Sequence, residues 1–166
     1  GGERKAGYAT KLGYYSQHRS ELLDESKSVL EEICTTGAGM REEDARGLLG
    51  SFLFRREDVH KKVRVLSGGD KSRLNLDKFL VDPPNLLLMD EPTTHLDLLS
   101  VEALIQALKQ FSGSLVFISH DVHFIRKLAE QTWHISDGKV TKYSGGYDYY
   151  LEKSGLLDDE RGGVTA

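Results

Sequence analysis

Leu86-Leu87-Leu88-Met89-Asp90-Glu91-Pro92-Thr93-Thr94-His95-Leu96-Asp97 runs four apolar residues straight into two adjacent carboxylates. A short continuous apolar run suits a strand buried on both faces, as in a parallel sheet. Pro92 stops the run, because proline has no N–H and its ring fixes φ. A polar turn then leads to a third carboxylate, Asp97. Open α/β sheets bind ligands beyond the carboxyl ends of their strands. Asp90 is therefore expected at a strand tip and Glu91 one step past it. Such a pair suits one acid holding a metal and the next managing a water. The competing reading is a buried strand followed by an acidic turn.

The sequence on either side frames that strand. Upstream, Val81-Asp82-Pro83-Pro84-Asn85 closes a helix, since the prolines cannot continue it. The apolar face of this helix includes Leu74, Leu76, Phe79, Leu80 and Val81, and it opens at Leu66-Ser67-Gly68-Gly69-Asp70-Lys71-Ser72-Arg73. Glycines at a helix start let an anion approach the free N–H groups, and the helix dipole adds attraction. Ser67 offers a hydroxyl beside them; an ordinary helix cap is the plainer reading. Downstream, Leu98 to Phe111 is an amphipathic helix with Val101, Leu104, Ile105 and Leu108 inward, ended by Gly113. Leu115-Val116-Phe117-Ile118 reads as a second buried strand, with Ser119-His120-Asp121 at its carboxyl end. Strand, helix, strand is a βαβ unit, so the two strands are expected to be parallel with neighbouring tips. Topology alone then brings His120 near Asp90 and Glu91. A histidine there also fits a core residue with one hydrogen bond.

Tyr8 to Tyr15 has β-type composition and leaves through Ser16-Gln17-His18. Gln17 is placed to reach a ligand at the sheet edge, or is simply a loop glutamine. Residues 19–81 change character. Ser28 to Ile33 reads as a helix broken by Gly37-Ala38-Gly39. Arg41 to Phe54 carries Ala45, Leu48, Leu49, Phe52 and Leu53 at helical spacing, with Glu42-Glu43-Asp44 where the dipole favours acids. Arg55 to Arg64 is a charged connection. Val122 to Ala129 is a further helix, and Gln131 to Ser136 and Lys139 to Tyr143 flank the hairpin signal Asp137-Gly138. Tyr147 to Lys153 is aromatic and helical. The expected division is a core strand over 1–18, a helical subdomain over 19–81, an α/β core over 82–153 and a loose tail over 154–166.

With 166 residues, 39% of them hydrophobic and 29% charged, the chain suits one soluble globular domain. A net charge of −4 gives no hint of a nucleic-acid or membrane partner. Cys34 stands alone, which excludes an intrachain disulfide and fits a reducing compartment. No apolar run approaches the ~18 residues of a membrane span, and no signal-peptide core is visible at the N-terminus.

Taken in order, Gln17 after a strand, Leu66-Ser67-Gly68-Gly69-Asp70 opening a helix, a strand ending in Asp90-Glu91, His95-Leu96-Asp97 and Ser119-His120-Asp121 resemble an ABC ATPase nucleotide-binding domain. They match its Q-loop, signature motif, Walker B with catalytic glutamate, D-loop and H-loop. The wording Glu91-Pro92-Thr93-Thr94-His95-Leu96-Asp97 looks most like the ABC-F subfamily. So do Gly13-Tyr14-Tyr15-Ser16-Gln17-His18 and Tyr143-Ser144-Gly145-Gly146-Tyr147. Gln17-His18 and Asp70-Lys71-Ser72-Arg73 look more like that subfamily's second domain. The likeness runs from about Gly7 to Lys153. Thr94 and Asp70 depart mildly from the commonest residues at their places. The larger departure is that no Gly-x-x-x-x-Gly-Lys-Ser/Thr occurs, so the phosphate-cradling loop is missing. The motif order implies a piece of a longer protein, lacking the part that precedes the Q-loop.

The resemblance implies a partial P-loop NTPase core of α/β class with parallel strands and an inserted helical subdomain. It implies ATP and Mg²⁺ as ligands. Asp90 and Gln17 would serve the metal. Glu91, His120 and Gln17 would be catalytic. Leu66, Ser67, Gly68, Gly69 and Asp97 would meet nucleotide held by a second ABC nucleotide-binding domain, in the same parent chain or in a homodimer. The subfamily implies a cytoplasmic, translation-associated ATPase with ribosome and tRNA as partners and no direct membrane insertion. The alternatives are the ATP-binding subunit of an ABC transporter, or a non-catalytic half-site donating its signature motif in trans. Residues 1–166 alone are expected to be inactive, because most binding to the triphosphate resides in the missing loop.

Overall fold

The computed structural model describes residues 3, 5, 7–16, 23–36 and 40–155. Its centre is a three-stranded parallel sheet in the order β1 (Leu12–Ser16), β2 (Leu86–Asp90), β3 (Ser114–Ile118). The register aligns Leu12 with Leu86 and Ser114, and Ser16 with Asp90 and Ile118, so all three carboxyl ends finish together. Gly13 is needed where β1 crosses the Pro83-Pro84 stop: a Cβ there would lie 2.7 Å from the Pro84 ring.

Between β1 and β2 the chain makes a helical insertion. It comprises α1 (Val29–Thr36), α2 (Glu42–Ser51), single 3₁₀ turns at Asp58–His60 and Val63–Val65, and α3 (Gly68–Val81). The expected α/β class with an inserted helical subdomain is therefore what the chain forms. α4 (Leu98–Lys109) carries the chain from β2 to β3, burying Val101, Leu104, Ile105 and Leu108 as its periodicity requires. After β3 come α5 (Val122–Leu128), the hairpin β4 (Thr132–Ser136) and β5 (Lys139–Tyr143), and α6 (Tyr147–Ser154). Asp137 and Gly138 take positive φ of 51° and 72° at the hairpin tip, the geometry that Asp-Gly accommodates. Tyr150 of α6 is fully buried against the rings of Tyr143, His134 and Tyr147.

The core joins the insertion to one face of the sheet. Leu87 and Met89 of β2 meet Leu76 and Phe79 of α3 and Leu104 and Leu108 of α4. Phe117 of β3 packs edge-on against Phe124 at 5.1 Å. The expectation that β2 and β3 are buried on both faces is corrected. Strand residues alternate sides, and only one side is covered. On the other, Leu12, Tyr14, Val116 and Ile118 are 40–45% exposed and Leu88 half-buried. Among the described residues no layer lies over them.

Two further differences concern the insertion. α2 stops at Ser51, and Leu53, expected inward, takes a left-handed φ of 67° and faces solvent while Phe52 and Phe54 are buried. Phe54 N–H closes back on the Leu49 carbonyl at 3.0 Å, so the chain reverses within one turn. The charged connection after it carries two anchors, Val59 and Val63, both buried. The Gly37-Ala38-Gly39 break lies outside the described residues.

Candidate functional site

Asp90 ends β2 with its side chain exposed, flanked in register by Ser16 and Ile118. Glu91 continues the ladder by one bond, its N–H donating to the Ile118 carbonyl at 2.9 Å. It does so with a φ of 47°, a left-handed conformation that a side chain adopts at a cost of about 1–3 kcal/mol. This twist turns the carboxylate onto the tip of β3. Oε2 accepts the His120 N–H at 3.3 Å, and Oε1 lies 3.4 Å from His120 Nε2. Oε1 is buried and takes no hydrogen bond from the described residues, while the His120 ring is 70% exposed. One carboxylate oxygen is thus tied to the backbone and the other left available beside an accessible imidazole. The βαβ topology does place His120 against Glu91, as the sequence order requires.

The loop after Glu91 is a pair of tight turns. Thr94 N–H donates to the Glu91 carbonyl and Leu96 N–H to that of Thr93, with His95 at a φ of 65°. Thr93 Oγ1 comes within 3.5 Å of Ser119 Oγ, which braces the loop against the end of β3. The loop delivers Asp97 as the cap of α4, where Oδ1 accepts the Ser100 N–H at 2.8 Å. That backbone bond, with help from the Ser100 side chain, holds Asp97 below the usual carboxylate range.

Ser67 caps α3. Its hydroxyl accepts the Asp70 N–H at 3.2 Å and donates to Asp70 Oδ2 at 2.6 Å, and Asp70 reaches back to the Ser67 N–H, which completes a capping box. Burial acts to raise Asp70, but the bonds from Ser67 and Arg73 outweigh it and lower its pKa. Gly68 opens on free space, whereas a Cβ on Gly69 would lie 3.1 Å from the His95 carbonyl. The helix start and the loop leading to Asp97 are therefore in contact. Leu66 packs against the core instead of standing free.

The structure thus forms two groupings of the expected residues. Asp90, Glu91 and His120 gather at the strand tips; Ser67, Gly68 and Gly69 sit with His95. Gln17 lies outside the described residues. Sequence reasoning missed Arg73 and Ser100, which join the α3 and α4 starts through an Arg73 Nη1 bond to Ser100 Oγ at 3.2 Å. The Asp70-Arg73 spacing of three was the available signal.

Metal-binding capacity follows from the donors. No group of three or more His, Cys, Asp or Glu converges among the described residues, so a caged transition metal does not fit. Mg²⁺ is commonly held by one or two carboxylates, with waters and phosphate oxygens filling its shell. An exposed Asp90 at the strand tip fits that demand.

Parallel strands ending in Asp90-Glu91 and His120, with a helical insertion between β1 and β2, define an ATP-binding-cassette type of α/β fold. An ATP-binding cassette solved as a dimer in a post-hydrolysis state with ADP and Pi shares it, with a TM-score of 0.64 at 23% identity over 81% of this chain and 63% of that one. The family model described as ABC transporter matches residues 3–94, more than half of the chain, and the chain belongs to that family. It is 42% identical to ABC transporter F family member 5 of Arabidopsis thaliana over 141 residues, 85% of this chain and 20% of that protein. It is 40% identical to ATP-binding cassette sub-family F member 3 of Mus musculus over 149 residues, 90% of this chain and 21% of that protein. The chain thus spans about a fifth of the length of these relatives. Among the described residues no helix is long and apolar enough to cross a membrane.

Proposed function

We propose that this chain supplies the hydrolytic and signature-bearing part of an ABC-F type ATPase domain, which acts with a second nucleotide-binding domain in a head-to-tail ATP sandwich. The observation that carries the reading is the contact of Glu91 with His120 beside Asp90. Glu91 Oε1 is the base that orients and deprotonates the attacking water, since it is buried and takes no hydrogen bond from the described residues. His120, on the exposed side of that carboxylate, contacts the γ-phosphate and keeps Glu91 aimed. Asp90 would hold Mg²⁺, and the ion would supply charge neutralisation for the departing phosphate. Gln17 would serve the same metal and water.

Ser67, Gly68 and Gly69, with Leu66 as their anchor, face ATP carried by the partner domain. The free N–H groups of a 14-residue helix favour an anion there. Asp97 lies at the interface between the two domains. Residues 19–81 act as the helical subdomain that moves with nucleotide state, between the core strand of 1–18 and the α/β core of 82–153, with 154–166 as a tail. The F-subfamily wording of Glu91 to Asp97 supports a cytoplasmic, ribosome- and tRNA-associated role over the energising of a transporter.

The first test of this reading is made in trans. The chain is added to a separately purified F-type cassette that carries its own phosphate loop, and ATP turnover is measured. Turnover should rise, and Gly68→Glu should abolish the rise: its Cβ meets nothing and an acid suits a helix start, so the fold is kept while the anion is repelled. An unaltered effect of the Gly68→Glu chain would refute the signature role.

A further inference from the structure

We propose that Arg73 is a positioning residue that locks the Ser67–Gly69 helix start and the Asp97 cap of α4 into one rigid unit. The inference deepens the functional reading above and rests on it for the purpose of the unit, which is to present both loops together to the partner domain's nucleotide.

The unit is a continuous chain of hydrogen bonds. Ser67 Oγ donates to Asp70 Oδ2 at 2.6 Å. Asp70 Oδ1 accepts Arg73 Nη2. Arg73 Nη1 donates to Ser100 Oγ at 3.2 Å, across 27 residues of sequence. Ser100 N–H donates to Asp97 Oδ1 at 2.8 Å. Every link is side chain to side chain or side chain to cap, so no regular ladder supplies it. The Arg73 side chain is only 15% exposed and Ser100 is buried, which excludes most competing water. The guanidinium also lies over the Phe54 ring at 5.5 Å, which fixes its plane from the helical insertion.

The choice of residue follows from this geometry. A guanidinium has two arms at a fixed angle and can bind an acid with one and a hydroxyl with the other, whereas an ammonium is a point charge. Arg73 does not bind Asp77, one turn further along α3: both Asp77 oxygens lack hydrogen-bond partners among the described residues. It reaches across to α4 instead. The contact of Gly69 with the His95 carbonyl closes the same gap from the other side.

The test is amide hydrogen exchange on the 166-residue chain, with thermal melts as a check on global stability. Asp70→Asn should speed exchange of the Ser100 amide about fivefold, the effect of loosening one net hydrogen bond, although Asp70 and Ser100 lie on different helices. The Leu104 amide, a turn further along α4, should be unchanged. Ser100→Ala should in turn speed exchange at the Asp70 amide, and Arg73→Lys should behave like Asp70→Asn. An unchanged Ser100 amide in Asp70→Asn, or wild-type exchange in Arg73→Lys, would overturn the lock. Asp70→Asn and Ser100→Ala carry the test even if Arg73→Lys fails to fold. A second arm measures stimulation of the phosphate-loop-bearing cassette. Loosened variants that stimulate as well as wild type would overturn the purpose assigned to the lock. A wild-type chain that stimulates nothing, with the exchange coupling intact, would overturn the functional reading and leave the lock supported.

Discussion

Asp77→Ala should stabilise the protein, and increasingly so as pH rises. Asp77 is 0% exposed in the middle of α3, and neither carboxylate oxygen has a hydrogen-bond partner among the described residues. Burial pushes its pKa well above the ordinary 3.8, and the nearby Arg73 charge offsets only part of that. A buried, unsatisfied polar group costs about 1–3 kcal/mol. Alanine removes that cost and gains about 0.5 kcal/mol of helix propensity, against a small cavity penalty. A net gain of about 1–2 kcal/mol follows at low pH, where Asp77 is protonated in the folded chain, and ionisation adds to it as pH rises. The sign of the pH dependence is fixed by the raised pKa. Between 3.8 and the folded value, the native state binds more protons than the unfolded chain. Stability contributed by Asp77 is therefore complete below pH 3.8, and falls as pH rises towards the folded pKa, by up to about 1.4 kcal/mol per pH unit. The alanine variant lacks this slope. Urea unfolding of both proteins at several pH values between 4 and 8 checks it. A destabilised Asp77→Ala, or a gain that does not grow with pH, would refute the reasoning.

Other expectations follow from single features. Gly138→Ala should cost about 1 kcal/mol by chemical denaturation, because its φ of 72° is left-handed and the added Cβ meets nothing; a neutral result would mean that the hairpin tip relaxes. The uncovered sheet face of Leu12, Tyr14, Val116 and Ile118 should make the chain self-associate with concentration. Analytical ultracentrifugation should show this, and Val116→Lys should reduce it by charging the patch; a monomer at all concentrations would contradict the expectation.

The features legible in the sequence were those with local causes. β2 was visible because an apolar run ends abruptly at two acids and a proline. α4 showed its buried stripe at helical spacing, and Asp137-Gly138 demanded the hairpin. The meeting of Glu91 and His120 was also accessible, since it needs only the handed, short-range geometry of a βαβ unit. What stayed hidden depends on what lies across the fold. Leu115 to Ile118 looks buried by composition, but its burial depends on a second layer that no residue of the strand encodes. Leu53 fits the helical stripe of α2 until the chain reverses to place Phe54. Val59 and Val63 are single anchors in a charged stretch, too sparse to make a period. Arg73 and Ser100 are ordinary surface-type residues in the sequence and acquire a role only when α3 and α4 start side by side. Asp77 is concealed for the opposite reason, since nothing local says that its helix face is dry.

The proposed ATP site draws its hydrolytic and signature residues from this chain, whose 166 residues contain no Gly-x-x-x-x-Gly-Lys-Ser/Thr. The most direct measurement is ATP turnover by the purified chain of residues 1–166 with Mg²⁺, in wild-type and Glu91→Gln forms. The account predicts equal, background rates for the two proteins on their own. Turnover by the wild-type chain that Glu91→Gln abolishes would contradict it.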